Sequence, residues 1–86
     1  MPNPTKLTIV VRNAEEILFS GQAEAVSSIN DKGPFDILSG HENFITLIKD
    51  KIVLHPTLKE EKKLDIENGI MRIYENKVFA YVNFKY

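Results

Sequence analysis

Apolar residues in this chain recur at every second position and almost never at the spacing of a helix. Leu7, Ile9 and Val11 fall on one side of the chain, with Lys6, Thr8 and Arg12 on the other. Near the carboxy terminus Val78, Ala80, Val82 and Phe84 repeat the pattern. A period of two is the signature of a strand with one face buried, and a 3.6-residue period nowhere persists for three turns. The runs are also short, because turn formers cut them every few residues. The clearest is Asn30-Asp31-Lys32-Gly33-Pro34, and Asn13-Ala14, Ser20-Gly21, Asp50-Lys51, Asn68-Gly69 and Glu75-Asn76-Lys77 read the same way. The pattern predicts an all-β fold: one antiparallel two-sheet β-sandwich domain over residues 1–86, with about eight to ten short strands.

The individual strands follow from that alternation. Thr5 to Arg12 forms the first and Glu15 to Phe19 the second, with Ile17 and Phe19 inward. Gln22 to Ile29 comes next, its alanines Ala23 and Ala25 marking a face closely approached by a neighbour. Between Gly33-Pro34 and Gly40-His41 there is room only for a short strand around Phe35, Ile37 and Leu38. Phe44 to Ile48 is almost wholly apolar and is expected to be covered on both faces. Asp50-Lys51 turns it into Ile52 to His55, after which Thr57 to Lys63 makes a surface loop. A strand opening with Leu64 and Ile66, the Asn68-Gly69 hairpin turn and Ile70 to Tyr74, with Met71 and Ile73 inward, lead to the closing strand.

Composition narrows the function classes. Eighty-six residues make one domain with one modest core. Eleven basic and twelve acidic residues nearly cancel, and no stretch is basic enough to track a phosphate backbone, which argues against nucleic acid as a partner. The absence of cysteine removes disulfides, thiolate catalysis and cysteine-ligated metals, and fits a reducing compartment. Met1-Pro2-Asn3-Pro4-Thr5-Lys6 lacks the charged-then-apolar order of a signal peptide, and no apolar run approaches the roughly 20 residues of a membrane helix. Direct membrane insertion is not expected.

Catalytic, cofactor and metal sites are not expected either. His41 and His55 would need carboxylates such as Glu42 or Asp36 beside them to bind a metal, and their spacing matches no ligand pattern. Ser39-Gly40-His41 is not a nucleophile elbow, and no glycine pair has the spacing of a phosphate-cradling loop. More informative is the last strand, whose outward positions carry Phe79 and Tyr81. Exposed aromatics on the outer face of a small sandwich mark a docking surface.

Three blocks of residues take the sequence further. Phe19-Ser20-Gly21-Gln22-Ala23-Glu24-Ala25-Val26 is the counterpart of a Phe-x-Gly-x-Val-Glu-x-Val stretch, with Ala23 in place of the first Val. Gly33-Pro34-Phe35-Asp36-Ile37-Leu38-Ser39-Gly40-His41, followed by Phe44-Ile45-Thr46, matches Gly-Glu-Phe-Gly-Ile-Leu-Pro-Gly-His and an apolar strand with a threonine. The segment from Glu67 to Val78 echoes a third block, Ser-Gly-Gly-x-x-Glu-Val-x-x-Asn-x-Val. From about Leu7 to Val82 the chain resembles the amino-terminal β-domain of the rotary ATP synthase epsilon subunit, the mitochondrial delta equivalent.

That resemblance implies a two-sheet sandwich in the central stalk of a proton- or sodium-translocating ATP synthase. Such a domain docks on the gamma subunit and on the polar loops of the membrane c-ring. It couples ring rotation to gamma without catalysing anything, as a peripheral subunit on the cytoplasmic face of the inner (plasma) membrane. By position, Asn30, Asp31, Lys32, Gly33 and Pro34 are the implied ring or gamma contacts, with His41 near the same end, and Phe79 and Tyr81 are the docking-face candidates. Pro34 replaces the usual Glu, removing the acidic group a charge-based ring contact would use, while Asp36 replaces Gly and Ser39 replaces Pro. The family's two-helix carboxy-terminal hairpin, which can inhibit hydrolysis and in some members bind ATP, has no counterpart after Tyr86, so ATP binding is not expected. The substitutions leave a second expectation beside the first: a free-standing β-sandwich interaction module outside the ATP synthase.

Overall fold

A computed structural model describes residues 6–57 and 59–84. Seven strands account for most of them: β1 (Leu7–Arg12), β2 (Ile17–Ala23), β3 (Ala25–Asn30), β4 (Gly33–Leu38), β5 (Phe44–His55), β6 (Lys62–Tyr74) and β7 (Lys77–Asn83). The expected strand start at Thr5, the leader before it, Leu58 in the surface loop and the end at Tyr86 lie outside the described residues.

The strands hydrogen-bond in the order β2-β1-β7-β6-β5-β3-β4. Every pairing is antiparallel except β1 with β7, which is parallel. This ladder cannot lie flat. β2 and β3 stand five strand spacings apart in it, roughly 24 Å at the usual separation. Only Glu24 separates them in sequence, and two peptide units span at most about 7 Å. The ladder therefore folds over on itself, and the Glu24 amide, donating to the His55 carbonyl at 2.8 Å, seals the crossing.

The fold line runs through β5 and β6. Asp50 takes a positive φ of 69°, and the β5–β6 register shifts between Lys49 and Lys51. An extra residue bends and twists a strand, so each long strand contributes its two halves to different layers. The first layer holds β2, β1, β7 and the Asn68–Tyr74 half of β6 with the Phe44–Lys49 half of β5. The second holds β3, β4, the far end of β5 and the beginning of β6. Leu7, Ile9, Val11, Met71 and Ile73 of the first layer and Val26, Ile37, Ile52 and Leu54 of the second belong to one buried cluster between them.

The sandwich and most of its inward residues are as expected; the strand count is not. Seven strands replace the expected eight to ten, because three anticipated breaks are passed without a turn. Ser20-Gly21 lies within β2, paired to Val10 and Ile9. Asp50-Lys51 is the bulge just described. Asn68-Gly69 sits inside β6, where Gly69 pairs with Ile48 on one side and Val82 on the other. A Cβ at Gly69 would lie 2.5 Å from the Tyr81 carbonyl oxygen and 3.1 Å from the Val82 Cα. The glycine serves close strand approach instead of a hairpin. Conversely, the expected strand from Gln22 to Ile29 is divided at Glu24 by the crossing between layers. Ile17 faces outward because the β1–β2 register shifts at Val11/Arg12, whereas Phe19 packs on the core as expected.

Candidate docking surfaces

The outer face of the first layer is apolar where a small sandwich would ordinarily be polar. Register builds it in rows. Leu47 of β5 lies opposite Ile70 of β6, which lies opposite Tyr81 of β7. The adjoining row is Ile45, Arg72 and Phe79, with Tyr74 one step beyond along β6. Leu47 is 70% exposed, Ile45 61% and Phe79 49%, so the patch is open to solvent. The sequence pattern located Phe79 and Tyr81 but placed Ile45 and Leu47 inside, because five successive near-apolar residues read as a strand covered on both faces. The alternation itself held the missing signal: Thr46 and Ile48 take the inward phase, which leaves Ile45 and Leu47 outside.

A second surface lies at the end of the β3–β4 hairpin. Asn30 pairs with Gly33 across the two-residue loop Asp31-Lys32. Gly33 takes φ 114°, which a residue with a side chain reaches only under strain, and the Asn30 Oδ1 accepts from the Lys32 amide at 2.9 Å. Asn30 Nδ2 also donates to Thr46 Oγ1 at 3.3 Å, tying the hairpin tip to β5. A shallow groove runs there between Asn30, Asp31 and Lys32 and the Phe44–Leu47 stretch. Pro34 is exposed and lines a separate depression, with Ser27, Asp36 and His55 on the outer side of the second layer.

His41 reaches the same neighbourhood through an aromatic relay. Its ring lies 5.1 Å from that of Phe44, and Phe44 meets Phe35 edge-on at 6.1 Å. The loop carrying His41 is anchored to the β6–β7 turn, where Gly40 N donates to Asn76 Oδ1 at 2.7 Å and Glu75 N to Asn43 Oδ1 at 2.9 Å. The hairpin tip and His41 are thus joined through Phe44, and the groove runs on to Ile45 and Leu47 of the apolar face.

His55 stands apart, eleven residues beyond Phe44 along β5, on the outer side of the second layer. Its Nε2 lies 3.4 Å from Ser27 Oγ, which donates to Asp36 Oδ1 at 2.5 Å. Among the described residues, no three histidines or carboxylates gather to hold a metal, and no helix is long and apolar enough to cross a membrane. The arrangement is one of surfaces: a broad apolar face meeting a polar hairpin end.

The class the fold and surface define is a folded-over β-sandwich with an exposed apolar outer face. The family follows from comparison with known proteins. The model of the ATP synthase delta/epsilon chain β-sandwich domain matches residues 5–83, and the chain belongs to that family. It is 30% identical over 79 residues to the ATP synthase epsilon chain of Clostridium perfringens, covering 91% of this chain and 59% of that one. The epsilon chain of Clostridium novyi is 33% identical over 79 residues, with the same coverage. The chain thus spans about three-fifths of the length of these relatives. The fold matches one chain of the Euglena gracilis mitochondrial ATP synthase, in an OSCP/F1/c-ring structure, with a TM-score of 0.86 at 13% identity. That match covers 95% of this chain and 53% of that one. A chain of the Tetrahymena thermophila central stalk and c-ring matches with a TM-score of 0.75 at 7% identity, covering 95% and 66%.

Proposed function

We propose that this chain is a non-catalytic central-stalk subunit of a proton- or sodium-translocating rotary ATP synthase. It docks on the gamma subunit through the outer face of its first layer and on the polar loops of the c-ring through the Asn30–Pro34 hairpin end and His41. Rotation of the ring then passes to gamma through a rigid body. One observation carries this reading beyond family membership: an exposed apolar face adjoins a polar turn along Ile45 and Leu47. Transmitting torque requires two contacts on one stiff element, and a doubly layered sheet with a continuous core is stiff. The subunit takes its place as a peripheral component on the cytoplasmic face of the inner (plasma) membrane, held there by the ring.

Co-expression with the cognate gamma subunit tests the assignment. A stable complex through gentle purification is expected; its absence would sink the stalk role.

A further inference from the structure

Arg72 lies at the centre of the apolar face with no counter-charge. Its row neighbours are Ile45 and Phe79, and its neighbours along β6 on the same side are Ile70 and Tyr74. Its guanidinium rests over the Tyr74 ring at 5.3 Å, and the ion pairs among the described residues, Lys6–Glu24 and Lys63–Asp65, do not involve it. The other charges at outward strand positions of this face are Arg12, Lys49 and Lys77, all cationic, and at its margin Lys6 is already paired with Glu24. The carboxylates nearest to Arg72 in sequence are Glu75 in the β6–β7 turn, Glu67 beside the bulge and Asp65 beyond it.

Covering this face strips water from Arg72. An ion taken out of water without a partner costs several kcal/mol, so an all-apolar occupant would be opposed by the residue at its own centre. A second copy of the chain is no better, since two such faces would meet cation to cation. We propose that the face receives a polypeptide surface carrying an Asp or Glu set among apolar side chains, with Arg72 as the receptor for that carboxylate. The guanidinium fork, already fixed over Tyr74, is pre-shaped for bidentate pairing, and the flanking aliphatic and aromatic groups exclude water around it. The occupant rests on the stalk reading: it is the contacting segment of the gamma subunit.

The test titrates the cognate gamma subunit against wild type, R72M, R72K and R72E at low and high salt. Arg72 is exposed, and unchanged thermal midpoints verify that the variants fold. R72M should weaken binding about thirtyfold, the loss expected for truncating one partner of a desolvated pair, with R72E weaker still and R72K between wild type and R72M. R72M should also lose part of the wild-type salt dependence. Gamma binding that R72M leaves unchanged or tightens overturns the carboxylate receptor and leaves the stalk reading standing. Wild type failing to bind gamma overturns both. Arg72-dependent sedimentation with anionic phospholipid vesicles, while gamma affinity is indifferent to R72M, assigns the cation to lipid and also overturns the proposal.

Discussion

The two outer faces of the sandwich share β5 and β6 and yet differ in kind. On the second layer, Ser27 bonds to Asp36, His55 stands beside Ser27, and Lys63 pairs with Asp65 at 3.6 Å. Both signs of charge are present, and Val53, at the centre of that face, is almost covered by its neighbours. This face has internal partners and is well solvated. On the first layer the outward residues around Arg72 are apolar, polar side chains such as Thr8, Gln22, Asn68 and Asn83 lie toward the margins, and Arg72 finds only an aromatic ring. A surface that satisfies itself needs nothing more; one that exposes Ile45, Leu47, Ile70 and Phe79 around an unpaired cation is incomplete until covered. Because β5 and β6 cross from one layer to the other, the contrast arises within single strands, on either side of the bulge at Asp50.

The largest expected effect breaks the sheet beneath the apolar face. Gly69→Val forces β6 and β7 apart, since backbone of Tyr81 and Val82 occupies the space a side chain needs. Overpacking of this kind costs about 3 kcal/mol, against roughly 4–13 kcal/mol for a domain of this length. Urea unfolding measures it, and loss of gamma binding should follow. The glycine of the second layer's hairpin, Gly33, has open space around it, so a side chain there meets no such crowding.

Next comes the face itself. Phe79→Ser combined with Tyr81→Ser should weaken gamma binding about a hundredfold while the thermal midpoint moves little, because the aromatics point away from the core. Lys51→Ala with Lys63→Ala, on the second layer, should leave binding unaltered. If the aromatic double variant keeps full affinity, the two faces have been assigned the wrong way round.

How much of this was legible in sequence depends on which interaction fixed each element. Strands whose alternation is set by burial, such as β1 and β7, could be placed with their inward residues, because a one-residue slip would put their apolar side chains in water. Asn68-Gly69 is a strong hairpin signal, yet the glycine is required by the neighbouring strand's carbonyl, a contact no local pattern encodes. Asp50 is likewise invisible as a bulge, since its left-handed backbone also suits a turn. The apolar face was half visible: Phe79 and Tyr81 stood out, but Ile45, Leu47 and Arg72 join them only through the β5–β6–β7 register. The hairpin tip was readable from its turn formers, and its bond to Thr46 was not.

A smaller effect is expected at the hairpin tip, where the second layer adjoins Ile45 and Leu47 of the apolar face. Gly33→Val places a branched side chain at φ 114°, a strain of about 1–2 kcal/mol concentrated at the hairpin tip. Stability should fall by that amount. Binding to a reconstituted c-ring should weaken, with gamma affinity less affected. Equal losses for ring and gamma would merge the two surfaces into one.

The smallest effect sharpens the contrast most, because it concerns the self-satisfied face alone. Asp36 stands where the family motif usually has glycine, and in this chain its carboxylate takes the Ser27 hydroxyl, linking β4 to β3 across a registered pair. Ser27→Ala removes that bond. Asp36 is exposed, so water replaces the lost donor and the cost should stay near 1 kcal/mol. Asp36→Ala should cost about the same and the double variant scarcely more, giving a coupling of about 1 kcal/mol in a double-mutant cycle. Neither variant should alter gamma affinity. The polar groups of the second layer hold each other, whereas Arg72 waits for a partner's carboxylate, and a Ser27→Ala chain that bound gamma more weakly would show that the second face also docks.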